Sequence, residues 1–142
     1  MSVGMTSPER LAEEAAKMES YGAECINLAE SQGHLVPSEV AARVAAVRAA
    51  VKIPIGFHPH NNLGLAVGNI LAAVDSGATY IDGSLRGFGG GAGNAQTEAA
   101  IAALKRGVMR STPTCSRSWT RRRCSRSRCT RTRCQLSTAT PS

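Results

Sequence analysis

The sequence predicts an α/β fold with parallel strands joined by crossover helices. Two observations carry this. Residues 5–107 alternate between stretches of helical period and short apolar runs: one helix, then three strand–loop–helix units. The loops after the strands hold His, Asn, Ser and Gly, whereas the joins from helix to strand are short and plain. Folds of this kind carry their functional groups at the C-terminal ends of the strands.

Each element has a local cause. In Thr6-Ser7-Pro8-Glu9-Arg10 a hydroxyl can cap a helix, Pro8 suits its first turn, and Glu9 favours the positive end of its dipole. Leu11, Ala15 and Met18 then fall on one face, and Gly22 stops the helix. Cys25–Ala29 is an apolar run of strand length, with Cys25 expected to pack as a small apolar residue. After the polar loop ESQGH, Pro37-Ser38-Glu39 opens a second helix with apolar residues at i, i+3, i+4 and i+7. Ile53–Phe57 reads as the second strand, about Leu65 to Asp75 as a helix closed by Ser76-Gly77, and Thr79–Asp82 as the third strand. A last helix runs from about Ala95 to Arg106.

Charge divides the chain. The formal net charge of the 142 residues is +7, yet all ten acids lie between Glu9 and Glu98. Residues 1–110 carry nine basic side chains against those ten, whereas residues 111–142 carry eight Arg and no acid. No apolar run reaches the roughly 18–20 residues of a membrane span, and no basic flank with an apolar stretch marks a secretory signal. A membrane protein and a secreted disulfide scaffold are both poor readings, and a cytoplasmic protein is expected.

Three loops could carry chemistry. In His58-Pro59-His60, residues i and i+2 of a strand point to one face. Two imidazoles there could chelate a divalent ion; the plain alternative is a pair of polar strand-end residues bonded to neighbouring loops. Two of the chain's three His lie here, and Asn61 and Asn62 follow, able to orient a ligand or hold the next turn. Gly87–Asn94 allows positive φ and close backbone approach, with Asn94 as a helix cap or an oxygen ligand. Its glycine spacing lacks the downstream acid of a dinucleotide fingerprint, so nucleotide binding is disfavoured. Glu30-Ser31-Gln32-Gly33 follows the first strand; Glu30 is a base, a ligand or a surface residue, and His34 reads as structural.

The segment GFHPHNNLGLAVGNILAAVDSGATYIDGSLRGFGGGAGNAQTEA resembles the metal-dependent 4-hydroxy-2-oxovalerate aldolases, and MTSPERLAEEAAKMESYGAECINLAES upstream is similar too. The resemblance covers about residues 1–107. It implies a partial (β/α)8 barrel of about three βα units, with strands like the sixth, seventh and eighth and the end of the fifth at Met1–Met5. It also implies a lyase that splits 4-hydroxy-2-oxoacids into pyruvate and an aldehyde, in catabolism of aromatic compounds. A divalent ion, usually manganese, would stabilise the enolate. By the same resemblance His58 and His60 are metal ligands, Asn94 lies beside the metal, and Ser31 is a substrate or supporting residue. Glu-Ser-Gln-Gly stands where the family commonly has Asp-Ser-x-Gly, a departure at Glu30. The family's third ligand, an Asp, has no counterpart here, nor do its enolate-stabilising Arg and its acid–base His. The expectation is a fragment inactive by itself. The family's partner is an acylating acetaldehyde dehydrogenase.

Residues 111–142 form the second region, in which Arg, Ser, Thr and Cys fill 26 of 32 positions. A basic arm that neutralises nucleic-acid phosphates is one reading, giving an Arg-tailed nucleic-acid-binding protein on a half-barrel as the alternative function. The Cys spacings lack a C-x2-C pair, which argues against a zinc knuckle. Arg without Lys favours a second reading, G+C-rich codons read one base out of phase. Regrouping them permits a continuation like that of the aldolases. On that reading the tail is disordered and nucleic acid is not a partner.

Overall fold

A computed structural model describes residues 3–111 of the protein. The chain divides after Ser111, and the tail expectations (disorder, shifted frame, basic arm) lie outside the described residues. The order is α1 (Pro8–Ser20), β1 (Ile26–Glu30), α2 (Pro37–Ala50), β2 (Ile55–Pro59), α3 (Ala66–Asp75) and β3 (Tyr80–Ile81). A 3-10 turn (Leu85–Gly87) and α4 (Thr97–Ser111) follow. The strands form one parallel sheet in the order β1-β2-β3. Sequential parallel neighbours joined through helices are three consecutive units of a (β/α) barrel wall.

The two faces of the sheet differ. Ile26, Leu28, Ile55 and Phe57 point to one face and are fully buried among Leu11 and Ala15 of α1, Val40, Val44 and Val47 of α2, and Ile70 and Ala73 of α3. Burying one such side chain stabilises the fold by about 1.5–3 kcal/mol. By strand alternation Asn27, Ala29, Gly56, His58 and Tyr80 occupy the other face. There Asn27 and Tyr80 are exposed and His58 is half-buried. In a closed barrel that face is the interior.

The helix starts follow the sequence. Ser7 caps α1, its hydroxyl accepting from Arg10 N, and Glu39 in the first turn of α2 accepts from Val36 N at 3.0 Å. Val3 donates its N–H to Ala29 O at 2.9 Å, so the chain before α1 touches the outer edge of β1.

Several boundaries move, each for a physical reason. The second strand starts at Ile55 rather than Ile53, because the Glu19 carboxylate of α1 takes the N–H groups of Lys52 and Ile53. It runs on through His58 to Pro59. Helix α4 starts at Thr97 rather than Ala95, since Ala95 N is spent on Pro59 O, and Ser84 accepts from Thr97 N. Met18 lies at the edge of the α1 core face, partly exposed. Cys25 does not pack in the core: it precedes β1 and is exposed. Alternation from Asn27 puts it toward the open face rather than under the helices.

Candidate functional site

The C-terminal ends of β1, β2 and β3 and the loops after them form the site. His58 is the fourth residue of β2 and His60 follows Pro59. Their ring centroids lie 5.4 Å apart at 67° between planes. Two imidazoles that share one ion through nitrogens at about 2 Å have centroids roughly 5 Å apart. The spacing therefore fits a shared divalent ion, and imidazole suits such ions as a ligand.

Asn94 joins His60 through the backbone. The two residues form an antiparallel bridge, flanked by Asn61 N to Gly93 O at 2.9 Å and Ala95 N to Pro59 O at 3.2 Å. Of the two roles open to Asn94, cap or oxygen ligand, the cap does not form: α4 begins three residues later. Instead Asn94 Nδ2 donates to Phe88 O at 3.1 Å, across the Gly-rich loop. Its Oδ1 is buried and accepts from no described residue. A buried acceptor without a donor is costly, and it is where a ligand or water group finds a place.

The Gly-rich loop is built to fold back tightly. Gly93 has φ +86°, and a Cβ there would collide with the Gly87 carbonyl oxygen. Arg86 also sits at positive φ (54°), unusual for a residue with a side chain. Its N–H donates to both oxygens of Glu98, at 2.9 and 3.2 Å. The Glu98 backbone N–H at the start of α4, then the Arg86 N–H, hold the Glu98 carboxyl below the usual carboxylate range.

After β1, Glu30 is fully buried; its Oε1 accepts from His34 N at 3.2 Å, and its Oε2 accepts from no described residue. Ser31 is exposed at the first position of the turn. The β1–β2 register pairs Glu30 with Pro59, so its next step brings Ser31 level with His60. Of the two asparagines after His60, Asn61 Oδ1 accepts from Ala66 N at the start of α3. Asn62 links all three loops, donating to Gln32 O and accepting from Ala92 N. The structure thus gathers His58, His60, Ser31 and Asn94 at one end of the sheet.

Two polar groups on the open face escape a reading by sequence. Asp82 follows β3, and its N–H donates to Phe57 O at 3.0 Å, continuing the ladder. Its Oδ2 lies 3.6 Å from His58 Nδ1 and accepts from Asn27 Nδ2 at 2.9 Å. The signal that could have found them is register, since Asp82 follows a strand whose neighbour carries His58. Cys25 lies nearby. Although the residue is largely exposed, partial desolvation of its thiol pushes it up; a bond with the Gly56 backbone opposes this and the Asp82 charge adds to it. Among the described residues no three His, Cys, Asp or Glu side chains cluster as a metal site.

The chain is similar to proteins of one known family. The HMGL-like family model matches residues 1–119. A 4-hydroxy-2-oxovalerate aldolase of Carboxydothermus hydrogenoformans is 55% identical over 100 residues, which are 70% of this chain and 30% of that protein. One from Moorella thermoacetica is 56% identical over 104 residues, 73% of this chain and 31% of the relative. The chain thus spans about 30% of the length of these curated relatives. Among solved structures, the HMG-CoA lyase of Brucella melitensis superposes with a TM-score of 0.65 at 26% identity, over 72% of this chain and 39% of that one. The carboxyl transferase domain of Rhizobium etli pyruvate carboxylase, solved with pyruvate, matches with a TM-score of 0.65 at 27% identity, over 71% and 17% of the two chains.

Proposed function

The chain belongs to the HMGL-like family of TIM-barrel proteins, and on that premise we propose that it carries part of the active site of a 4-hydroxy-2-oxovalerate aldolase. That activity is a lyase reaction, cleaving a 4-hydroxy-2-oxoacid to pyruvate and an aldehyde. The observation that carries the reading is the His58–His60 pair, with rings 5.4 Å apart at the end of a strand whose segment resembles those aldolases.

His58 and His60 would hold a divalent ion, manganese(II) by resemblance. Such an ion, when bound, polarises a 2-oxoacid carbonyl and stabilises the enolate. The chain's own groups have simpler tasks. The two imidazoles offer neutral nitrogens, the Asn94 Oδ1 offers an acceptor to a water or substrate hydroxyl, and Ser31 offers a hydroxyl level with His60. The tight Gly-rich loop lets backbone come close to what is bound there.

Two imidazoles leave most of an ion's coordination to water, and the resemblance implies an acid–base His and an Arg with no counterpart among the described residues. This chain alone is therefore expected to bind the ion weakly and to turn over no 4-hydroxy-2-oxoacid. A cytoplasmic setting, a role in aromatic catabolism and an acylating acetaldehyde dehydrogenase as partner belong to the same reading. The test is a manganese(II) titration followed by the spin-resonance signal of the free ion. Loss of binding in both His58→Ala and His60→Ala supports the reading; affinities equal to the unaltered chain reject it.

A further inference from the structure

We propose that Asp82 is a positioning residue that holds the proton of neutral His58 on Nδ1 and so leaves Nε2 as the nitrogen offered to a metal, with Asn27 holding Asp82 across the gap at Gly56. The proposal rests on the metal reading of His58 and adds to it the atom used and the residues that select it.

Strand register brings the two residues together. Gly56 pairs with Tyr80 and Phe57 with Ile81, so the next step sets His58 beside Asp82 on the same face. The backbone confirms the step, because Asp82 N donates to Phe57 O. The carboxylate oxygen Oδ2 lies 3.6 Å from His58 Nδ1, too long for a formed hydrogen bond but close enough to act through charge. An anion there favours an N–H on Nδ1 and disfavours a lone pair on it. A free neutral histidine ring prefers its proton on Nε2, so the protein reverses the intrinsic choice. Where a ligating His gives its other nitrogen to a carboxylate, that partner fixes tautomer and ring orientation.

Asp82 needs holding, since it is half-exposed and would otherwise move among rotamers. Asn27 does this from the far strand, its Nδ2 donating to Oδ2 at 2.9 Å over a separation of 55 residues. Asn27 is paired with Gly56, and the amide crosses β2 above it. A Cβ on Gly56 would come within 3.0 Å of Asn27 Oδ1 and 3.2 Å of its Cγ. A side chain at position 56 would therefore crowd the Asn27 amide and push it aside by a few tenths of an ångström on its way from β1 to β3. Asn27 of β1, His58 of β2 and Asp82, just after β3, thus meet on the open face.

The test reads the ring nitrogens of the full chain without metal, by long-range proton–nitrogen correlation at a pH where His58 is neutral. The expected result is a protonated Nδ1 and a bare Nε2, passing to a mixed or Nε2-protonated ring in Asp82→Asn. Manganese(II) affinity should fall by ~10–100-fold in the same variant. If Asp82→Asn fails to fold, Asn27→Ala and Gly56→Ala, which keep the carboxylate but loosen it, should move the same signals in the same direction. A ring protonated on Nε2 in the unaltered chain, or a tautomer indifferent to all three substitutions, overturns the proposal. Failure of the metal reading looks different: His58→Ala and His60→Ala would then leave manganese(II) affinity unchanged, whereas the tautomer signals need no metal.

Discussion

Asn62 donates through Nδ2 to the Gln32 carbonyl at 2.8 Å, joining the loop after β2 to the loop after β1. The same amide accepts through Oδ1 from Ala92 N at 3.3 Å, which brings in the Gly-rich loop. Three loops that carry the site are thus fastened by one side chain that does not belong to the metal pair. Asn62→Ala removes both bonds. At about 0.5–1.5 kcal/mol for each, the expected loss is ~1–3 kcal/mol in urea unfolding. Exchange of the Ala92 amide should accelerate more than that of Leu28. An unaltered midpoint with unaltered exchange would show that the backbone alone holds the loops.

The Glu98–Arg86 contact gives a pH dependence with a definite sign. The Glu98 carboxyl is held below its ordinary range by its own backbone N–H and by that of Arg86. A carboxylate whose folded value is depressed adds stability above its unfolded value and loses it as pH falls through the folded one. The Arg86 amide should therefore be protected at neutral pH and lose protection on acidification below the ordinary glutamate range. Glu98→Gln should abolish that pH dependence. The measurement is amide exchange at Arg86 against pH, and a profile that is the same in both proteins counts against the contact. Arg86 at φ 54° is the residue that would relax first, because its backbone conformation needs outside support.

Much of the scaffold was legible because local chemistry marked it. Pro8 and Pro37 set the starts of α1 and α2, and the spacing of Val40, Val44 and Val47 defined a buried face. What was illegible depended on partners distant in sequence. The start of β2 moved because Glu19, on α1, captures the N–H groups of Lys52 and Ile53. Local pattern leaves Asn94 as a cap or an oxygen ligand, and only the long-range pairing of its backbone with His60 removes the cap. Cys25 read as core, since an apolar run does not say which residues face the helices. The His58–His60 spacing was visible as a motif, whereas Asp82 and Asn27 had no motif to announce them. Their meeting requires the register of three strands, which no local pattern states.

Two glycines of one loop should respond in opposite ways to a methyl group. Gly93 lies at φ +86° with its Cβ position against the Gly87 oxygen, so Gly93→Ala combines backbone strain with a collision. A cost above ~1 kcal/mol is expected, since Ala at positive φ loses more than the unfolded-state gain returns. Gly90 has nothing within 4 Å of its Cβ position and no positive φ. Gly90→Ala should be neutral or stabilising by about 0.4–1 kcal/mol. Thermal or urea unfolding of the two variants checks this, and equal effects would reject the described loop path.

The two faces of the sheet should answer truncation differently. Leu28 is fully buried beneath the helices, and Tyr80 is 51% exposed on the opposite face. Leu28→Ala removes a core side chain from between β1 and its helices, with an expected cost of ~2–5 kcal/mol. Tyr80→Ala should cost less than about 0.5 kcal/mol in the chain by itself, because most of the ring already meets water. The comparison carries more than either value. In a closed barrel the Tyr80 face is interior, so a polypeptide that completed the wall would bury that ring and raise its cost toward that of Leu28. Urea unfolding of both variants, repeated over a hundredfold range of protein concentration, separates the cases. Costs that stay unequal at every concentration mean an open face. A Tyr80→Ala penalty that grows with concentration means that copies of the chain cover it.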